Sequence, residues 1–141
     1  MSATPLSQPL ATTEARRGTT VDRTILVCED DKNLRVLIEI MLSQHGYRVL
    51  LAARPDEALE FAATHHGPIH LLITDLALQT MWGPELAKRL QTMRPEAEVL
   101  FVSGHSAADA GLPDEAAFLQ KPFHPMTLLE KIRGLLAATR A

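Results

Sequence analysis

Short apolar runs that end in polar or charged residues recur along the chain, each followed by a stretch with apolar positions at helical spacing. Four of these runs are Ile25-Leu26-Val27-Cys28, Leu71-Leu72-Ile73-Thr74, Val99-Leu100-Phe101-Val102 and Ala117-Phe118-Leu119-Gln120. The Leu71 run reads as a buried strand and the other three as strand-like. The strand-then-helix rhythm repeats five times without a long unstructured gap, which predicts an α/β fold with a doubly wound parallel sheet of five strands.

The first helix carries the strongest pattern. Leu34, Leu37, Ile38, Met41 and Leu42 fall at i, i+3, i+4, i+7 and i+8, one apolar stripe expected to face the sheet, and Gly46 offers a left-handed stop. The second helix is expected from about Pro55, with Ala58, Leu59 and Ala62 inward. The third has Pro84 in its first turn with Glu85 beside the positive end of the helix dipole, and ends at Arg94-Pro95. The last runs from about Pro125 with Leu128, Leu129, Ile132, Leu135 and Leu136 as its apolar face. The fourth crossover differs: the segment from Ser103 to Lys121 must hold a helix, two loops and a strand, and Gly111 and Pro113 interrupt it. Its helix is expected to be short or irregular.

Residues 1–22 are a Ser/Thr/Pro/Ala mixture without periodicity, too poor in large apolar side chains to offset their ordering entropy, and are expected to form a disordered tail ahead of one domain over 23–141. The whole chain has 141 residues, 46% of them hydrophobic and only 4% aromatic, which suits a single domain with an aliphatic core. A formal net charge of -3 leaves no basic footprint for nucleic acid. The one cysteine, Cys28, lies inside a strand pattern and reads as a core residue; an intrachain disulfide is excluded and a reducing cytoplasm is expected. No stretch approaches the roughly 20 apolar residues of a membrane span, so no membrane insertion is expected.

Candidate chemistry lies at the strand ends. In a parallel sheet Asp75, the Glu29-Asp30-Asp31 triplet, Ser103 and Lys121 all gather at the carboxyl edge, where open α/β sheets place their ligands. Glu29, Asp30 and Asp75 brought together there without a cation would repel one another and push at least one pKa up. Mg²⁺ suits the group, because it prefers oxygen ligands and binds through a couple of carboxylates plus a phosphate oxygen. A carboxylate beside Mg²⁺, an ammonium and a hydroxyl is equipped to attack phosphorus and carry the phosphoryl group as an acyl phosphate.

These residues resemble the receiver (CheY-like) domain of bacterial two-component response regulators, over about Thr24 to Ala138. The matching pieces are Ile-Leu-Val-Cys-Glu-Asp-Asp with Arg35 downstream, Leu-Ile-Thr-Asp-Leu around Asp75, the Met81 to Gly83 turn, Val-Ser-Gly at 102–104, and Phe-Leu-Gln-Lys-Pro-Phe at 118–123. The resemblance implies a flavodoxin-like (βα)₅ fold and a cytoplasmic signalling domain that is not an enzyme. It implies that Asp75 takes phosphate from a sensor histidine kinase or a histidine phosphotransfer protein, and that the phosphorylated form switches a downstream protein target. Glu29 and Asp30 would be the acidic pair, one binding Mg²⁺ directly and one through water, with Asp31 secondary. The backbone carbonyl of Ala77 would complete the metal shell, Lys121 would pair with the phosphate, and Ser103 and Phe118 would take the switch hydroxyl and switch aromatic positions. The Val-Ser-Gly-His and Leu-Gln-Lys-Pro-Phe segments are similar to hybrid-kinase receivers as well as to single-domain regulators.

Some positions depart from the family pattern. Gln79 stands where proline is usual, which removes a fixed φ from the loop after Asp75. Ala77 offers no side chain to steer water, and His105, two residues past Ser103, is a candidate modulator of phosphoryl lifetime. His65, His66 and His70 flank the Gly67-Pro68 turn without a supporting acid and are expected to be a solvated helix end. Trp82 is expected in the loop beyond Asp75. Two other functions compete with the phosphorylation switch: a receiver-like interaction module that needs no phosphate, and an aspartyl-nucleophile phosphohydrolase. The second wants another aspartate where Ala77 stands.

Overall fold

Thr24–Cys28 is buried at every position, and so is Leu71–Asp75. Strands buried on both faces belong inside a sheet covered by helices on each side, and the computed structural model, which describes residues 23–138, has this arrangement. The order is β1 (Thr24–Cys28), α1 (Lys32–Gln44), β2 (Arg48–Ala52), α2 (Pro55–Thr64), β3 (Leu71–Asp75), α3 (Gly83–Met93), β4 (Glu98–Ser103), α4 (Ala107–Ala110), β5 (Phe118–Gln120) and α5 (Pro125–Ala138). All four strand pairings are parallel, and the sheet order is β2-β1-β3-β4-β5. This is the flavodoxin-like order, with its reversal between β1 and β3. The expected tail over 1–22 lies outside the described residues.

Alternation along β1 divides the core in two. Ile25 and Val27 pack with Ile38 and Leu42 of α1 and with Leu128 and Ile132 of α5. Leu26 and Cys28 face the other way, onto Ala58 and Ala62 of α2 and Leu86 and Leu90 of α3. Each fully buried leucine contributes about 1.5–3 kcal/mol of transfer free energy.

The helix termini follow the local sequence. Asp31 caps α1, its side chain accepting from the backbone N–H groups of Asn33 and Leu34, and Gly46 takes a φ of 89° beyond the helix end. One expectation for α1 fails. Leu37, placed on the inward stripe, is 51% exposed. At 100° per residue it sits about 80° from the centre of the stripe, so Ile38, Met41 and Leu42 make the sheet contact and Leu37 is left on the rim.

The fourth helix is short, as its punctuation implied. Ser106 caps it by accepting from the Asp109 N–H, and Gly111 ends it at a φ of 75°, so only four residues are helical and none is buried. The three histidines do not form one solvated helix end. His66 is exposed, but His70 Nδ1 accepts from the Thr24 N–H at 2.9 Å and the His70 N–H donates to the Thr24 carbonyl at 2.9 Å, joining the starts of β1 and β3.

Candidate functional site at the carboxyl edge of the sheet

Parallel register carries the chemistry to one edge. Cys28 lies opposite Thr74, and Asp75 lies opposite Val102, so Glu29 and Asp30 leave β1 beside Asp75 while Ser103 leaves β4 next to it. One carboxylate oxygen from each of Glu29, Asp30 and Asp75 falls in a group whose members all lie within 4.8 Å of one another. Asp75 is 7% exposed and Glu29 only 2%, whereas Asp30 is open to solvent. The site is thus lined by two sheltered acids and closed on its outer side by an accessible one.

Lys121 reaches this group from the opposite flank. Its backbone N–H donates to the Ser103 carbonyl at 2.7 Å, continuing the ladder beyond β5, and the peptide bond to Pro122 is cis. The ammonium lies 2.6 Å from Asp75 Oδ1 and 2.9 Å from Glu29 Oε1. Burial works against the charged lysine, but the hydrogen bonds to Asp75 and Glu29 outweigh it and raise its pKa. Burial also acts on Glu29, together with its hydrogen bond to Asp75, and the Asp31 N–H and Lys121 offset them only in part; the carboxyl is pushed up to about 7.

The loop that presents the acids is tied at several points. The Glu29 N–H donates to the Ala52 carbonyl at 3.0 Å, Glu29 Oε2 accepts from the Asp31 N–H at 3.0 Å, and Arg35 Nη1 donates to the Glu29 carbonyl at 2.8 Å. Asp31 therefore serves the helix cap and the loop. Beneath the acids, Cys28 is fully buried; burial, then the fields of Asp75 and Glu29, push its thiol up to about 12.

Ser103 is 7% exposed, and its Oγ accepts from the His105 N–H at 3.1 Å. That bond uses a lone pair and leaves the hydroxyl proton for another acceptor. His105 itself is exposed. Phe118 pairs in register with Phe101 and packs, half buried, against the core on the α2 and α3 side. Ala77 lies two residues past Asp75 and forms an isolated antiparallel bridge with Trp82, with the Leu78 N–H donating to the Met81 carbonyl at 3.2 Å. The Gln79 loop is thus closed by hydrogen bonds in place of a proline. Trp82 is 46% exposed at the start of α3.

Two contributors carry no role in the sequence reading. Gly83 is packed so closely on the Asp75 carbonyl that a β-carbon there would overlap it, and the Gly83 N–H donates to the Leu76 carbonyl. Arg35 acts on the backbone of Glu29, a contact that no side-chain pattern announces. Beside the acids, a groove of about 670 Å³ runs between α1 and the start of α5, with Leu34, Leu37, Phe123 and Leu128 among its walls and Lys121 at its end.

The site residues fit a divalent cation: all donors are oxygens, one acid is open to solvent, and the Glu29 pKa is raised by burial and then by its acidic neighbour Asp75.

Comparison with known proteins agrees with this geometry. The family profile of the response regulator receiver domain matches residues 25–133. The chain is 33% identical over 118 residues to the response regulator receiver protein CpdR of Brucella abortus (strain 2308), covering 81% of this chain and 97% of CpdR. It is 34% identical to the sensor kinase CckA of the same organism, where the match spans 80% of this chain and 12% of CckA. The crystal structure of the receiver domain from the hybrid histidine kinase CckA superposes with a TM-score of 0.70 at 34% identity, covering 80% of this chain and 98% of that one. The chain belongs to the response regulator receiver domain family, the phosphoacceptor modules of two-component signalling.

Proposed function

We propose that Asp75 is the phosphoacceptor and that Mg²⁺ bound by Glu29, Asp30, Asp75 and the Ala77 carbonyl assists it. The observation that carries this reading is the convergence of three carboxylates and the Lys121 ammonium, from three separate strand ends, around one point. An Asp75 carboxylate oxygen attacks the phosphorus of a phosphohistidine. The phosphorus–nitrogen bond breaks, the imidazole nitrogen keeps the electron pair and takes up a proton, and an acyl phosphate forms on Asp75. Mg²⁺ supplies charge neutralisation for the phosphoryl oxygens.

Both Glu29 oxygens already have donors, Lys121 and the Asp31 N–H. That supports exposed Asp30 as the direct ligand, with Glu29 acting through water. Lys121 turns from the acids to the phosphoryl group, and Ser103 donates its free hydroxyl proton to it. Movement of Ser103 draws on β4, and Phe118, in register with Phe101, follows. The phosphorylated form is then the favoured member of a pre-existing pair of states. His105, two residues past Ser103, is the candidate to modulate the lifetime of the acyl phosphate.

The phosphodonor is a sensor histidine kinase or histidine phosphotransfer protein, and the signal passes to a protein target in the cytoplasm. Among the described residues no helix is long and apolar enough to cross a membrane. The domain turns over no external substrate: Ala77 leaves no second carboxylate where a phosphohydrolase of this type needs one.

Trp82 emission provides the test. Titration with Mg²⁺ and then beryllofluoride, a phosphoryl mimic, changes the emission of the native protein, and Asp75→Asn abolishes the beryllofluoride step. An identical response in both proteins would remove Asp75 from the role.

A further inference from the structure

Arg35 lies one helical turn into α1, its N–H bonded to the Asp31 carbonyl at 2.9 Å, and its guanidinium reaches back to the Glu29 carbonyl at 2.8 Å. The half-buried side chain thereby closes a ring of contacts around the three acidic residues. Asp31 caps α1, the Asp31 N–H holds the Glu29 carboxylate at 3.0 Å, and Arg35 fixes the peptide that joins Glu29 to Asp30. Asp30 is exposed, so the direction of its carboxylate depends on that backbone and not on packing of its own side chain.

We propose that Arg35 is a positioning residue that aims Asp30 at the metal by clamping the Glu29 carbonyl. The proposal rests on the reading that Glu29, Asp30 and Asp75 hold Mg²⁺. Its sign separates it from a plain field effect. Arg35 is a cation near a cation site, so by charge alone its removal would tighten Mg²⁺ binding. Loss of a group that orients a ligand instead weakens binding, by about 10-fold or more in other metal sites.

The experiment is a Mg²⁺ titration of the full chain followed by Trp82 emission, with Arg35→Gln, Arg35→Lys and Asp30→Asn beside the native protein, and thermal unfolding of each without metal. Arg35→Gln is expected to bind Mg²⁺ about 10-fold more weakly, with partial recovery in Arg35→Lys. Amide exchange at Asp30 and Asp31 in the metal-free protein is expected to accelerate in Arg35→Gln, a readout that needs no metal. Unchanged or tighter binding in Arg35→Gln, with Asp30→Asn impaired, would overturn the role of Arg35 alone. Unimpaired binding in Asp30→Asn would overturn the metal reading and this proposal with it. If Arg35→Gln fails to fold, Arg35→Met decides: it keeps an apolar stem but has no donor for the Glu29 carbonyl, so native affinity and native exchange in that variant would also reject the clamp.

Discussion

The Lys121 ammonium lies 2.6 Å from Asp75 Oδ1 and 2.9 Å from Glu29 Oε1, although 92 residues separate it from Glu29 in the chain. In the resting domain the lysine therefore neutralises the acids that the proposed mechanism assigns to metal and phosphoryl group. In the proposed mechanism, the cation that later meets the phosphate is already stored in the site.

Replacement of Lys121 by methionine leaves sheltered acids facing one another. The metal-free protein is expected to lose about 1–3 kcal/mol, less than a fully buried pair would lose, because the lysine side chain is 25% exposed. Mg²⁺ binding is expected to tighten, since a competing cation is gone, while acyl phosphate formation slows. Denaturant unfolding with and without Mg²⁺, and phosphorylation by a small phosphodonor, measure the three effects.

The Glu29 carboxyl gives the site its pH dependence. Its folded pKa is raised to about 7, so in the metal-free protein its stabilising contribution is full below the ordinary value of 4.5 and is lost as pH rises through about 7. A bound cation favours the ionised acid, so Mg²⁺ affinity is expected to fall as pH drops from 8 to 6, well above the range where ordinary carboxylates protonate. Isothermal titration across that range checks this; an affinity unchanged at pH 6 would contradict it.

Gly83→Ala brings a β-carbon against the Asp75 carbonyl. The backbone there must shift, at about 1–3 kcal/mol of stability, and the acceptor moves with it. Expected results are a lower unfolding midpoint and slower phosphorylation, whereas Gly134→Ala in α5, at an exposed position where a β-carbon meets nothing, is expected to gain about 0.5–1 kcal/mol of stability from helix propensity and to leave phosphorylation unchanged.

The Cys28 thiol, buried and with its pKa pushed up to about 12, is expected to resist alkylation at pH 8 in the native protein and to react once denaturant opens the core. Its protonated state favours folding at neutral pH, and that contribution declines as pH rises from about 9 toward 12. Mass spectrometry after timed labelling follows the reaction.

Much of the fold could be read from the sequence, because the inner parallel strands β1 and β3, buried on both faces, leave unbroken apolar runs that lead straight into residues of the site. The short α4 was legible for a similar reason: Gly111 and Pro113 are local signals with local consequences. Leu37 was misread because spacing alone does not say how wide a stripe the sheet covers. His70 was misread because its partner, Thr24 N–H, is brought in by strand pairing. The side chains of the candidate site were visible as residue types at strand ends, whereas Arg35 and Gly83 act on backbone carbonyls, and contacts to the main chain leave no pattern in side-chain chemistry.

The most direct test of the account is to incubate the full chain with Mg²⁺ and a small phosphodonor, reduce the product with borohydride and map the modified peptide by mass spectrometry. The account predicts one Mg²⁺-dependent modification, at Asp75, that is absent in Asp75→Asn. Modification at another carboxylate, or none in native protein that binds Mg²⁺, would contradict it.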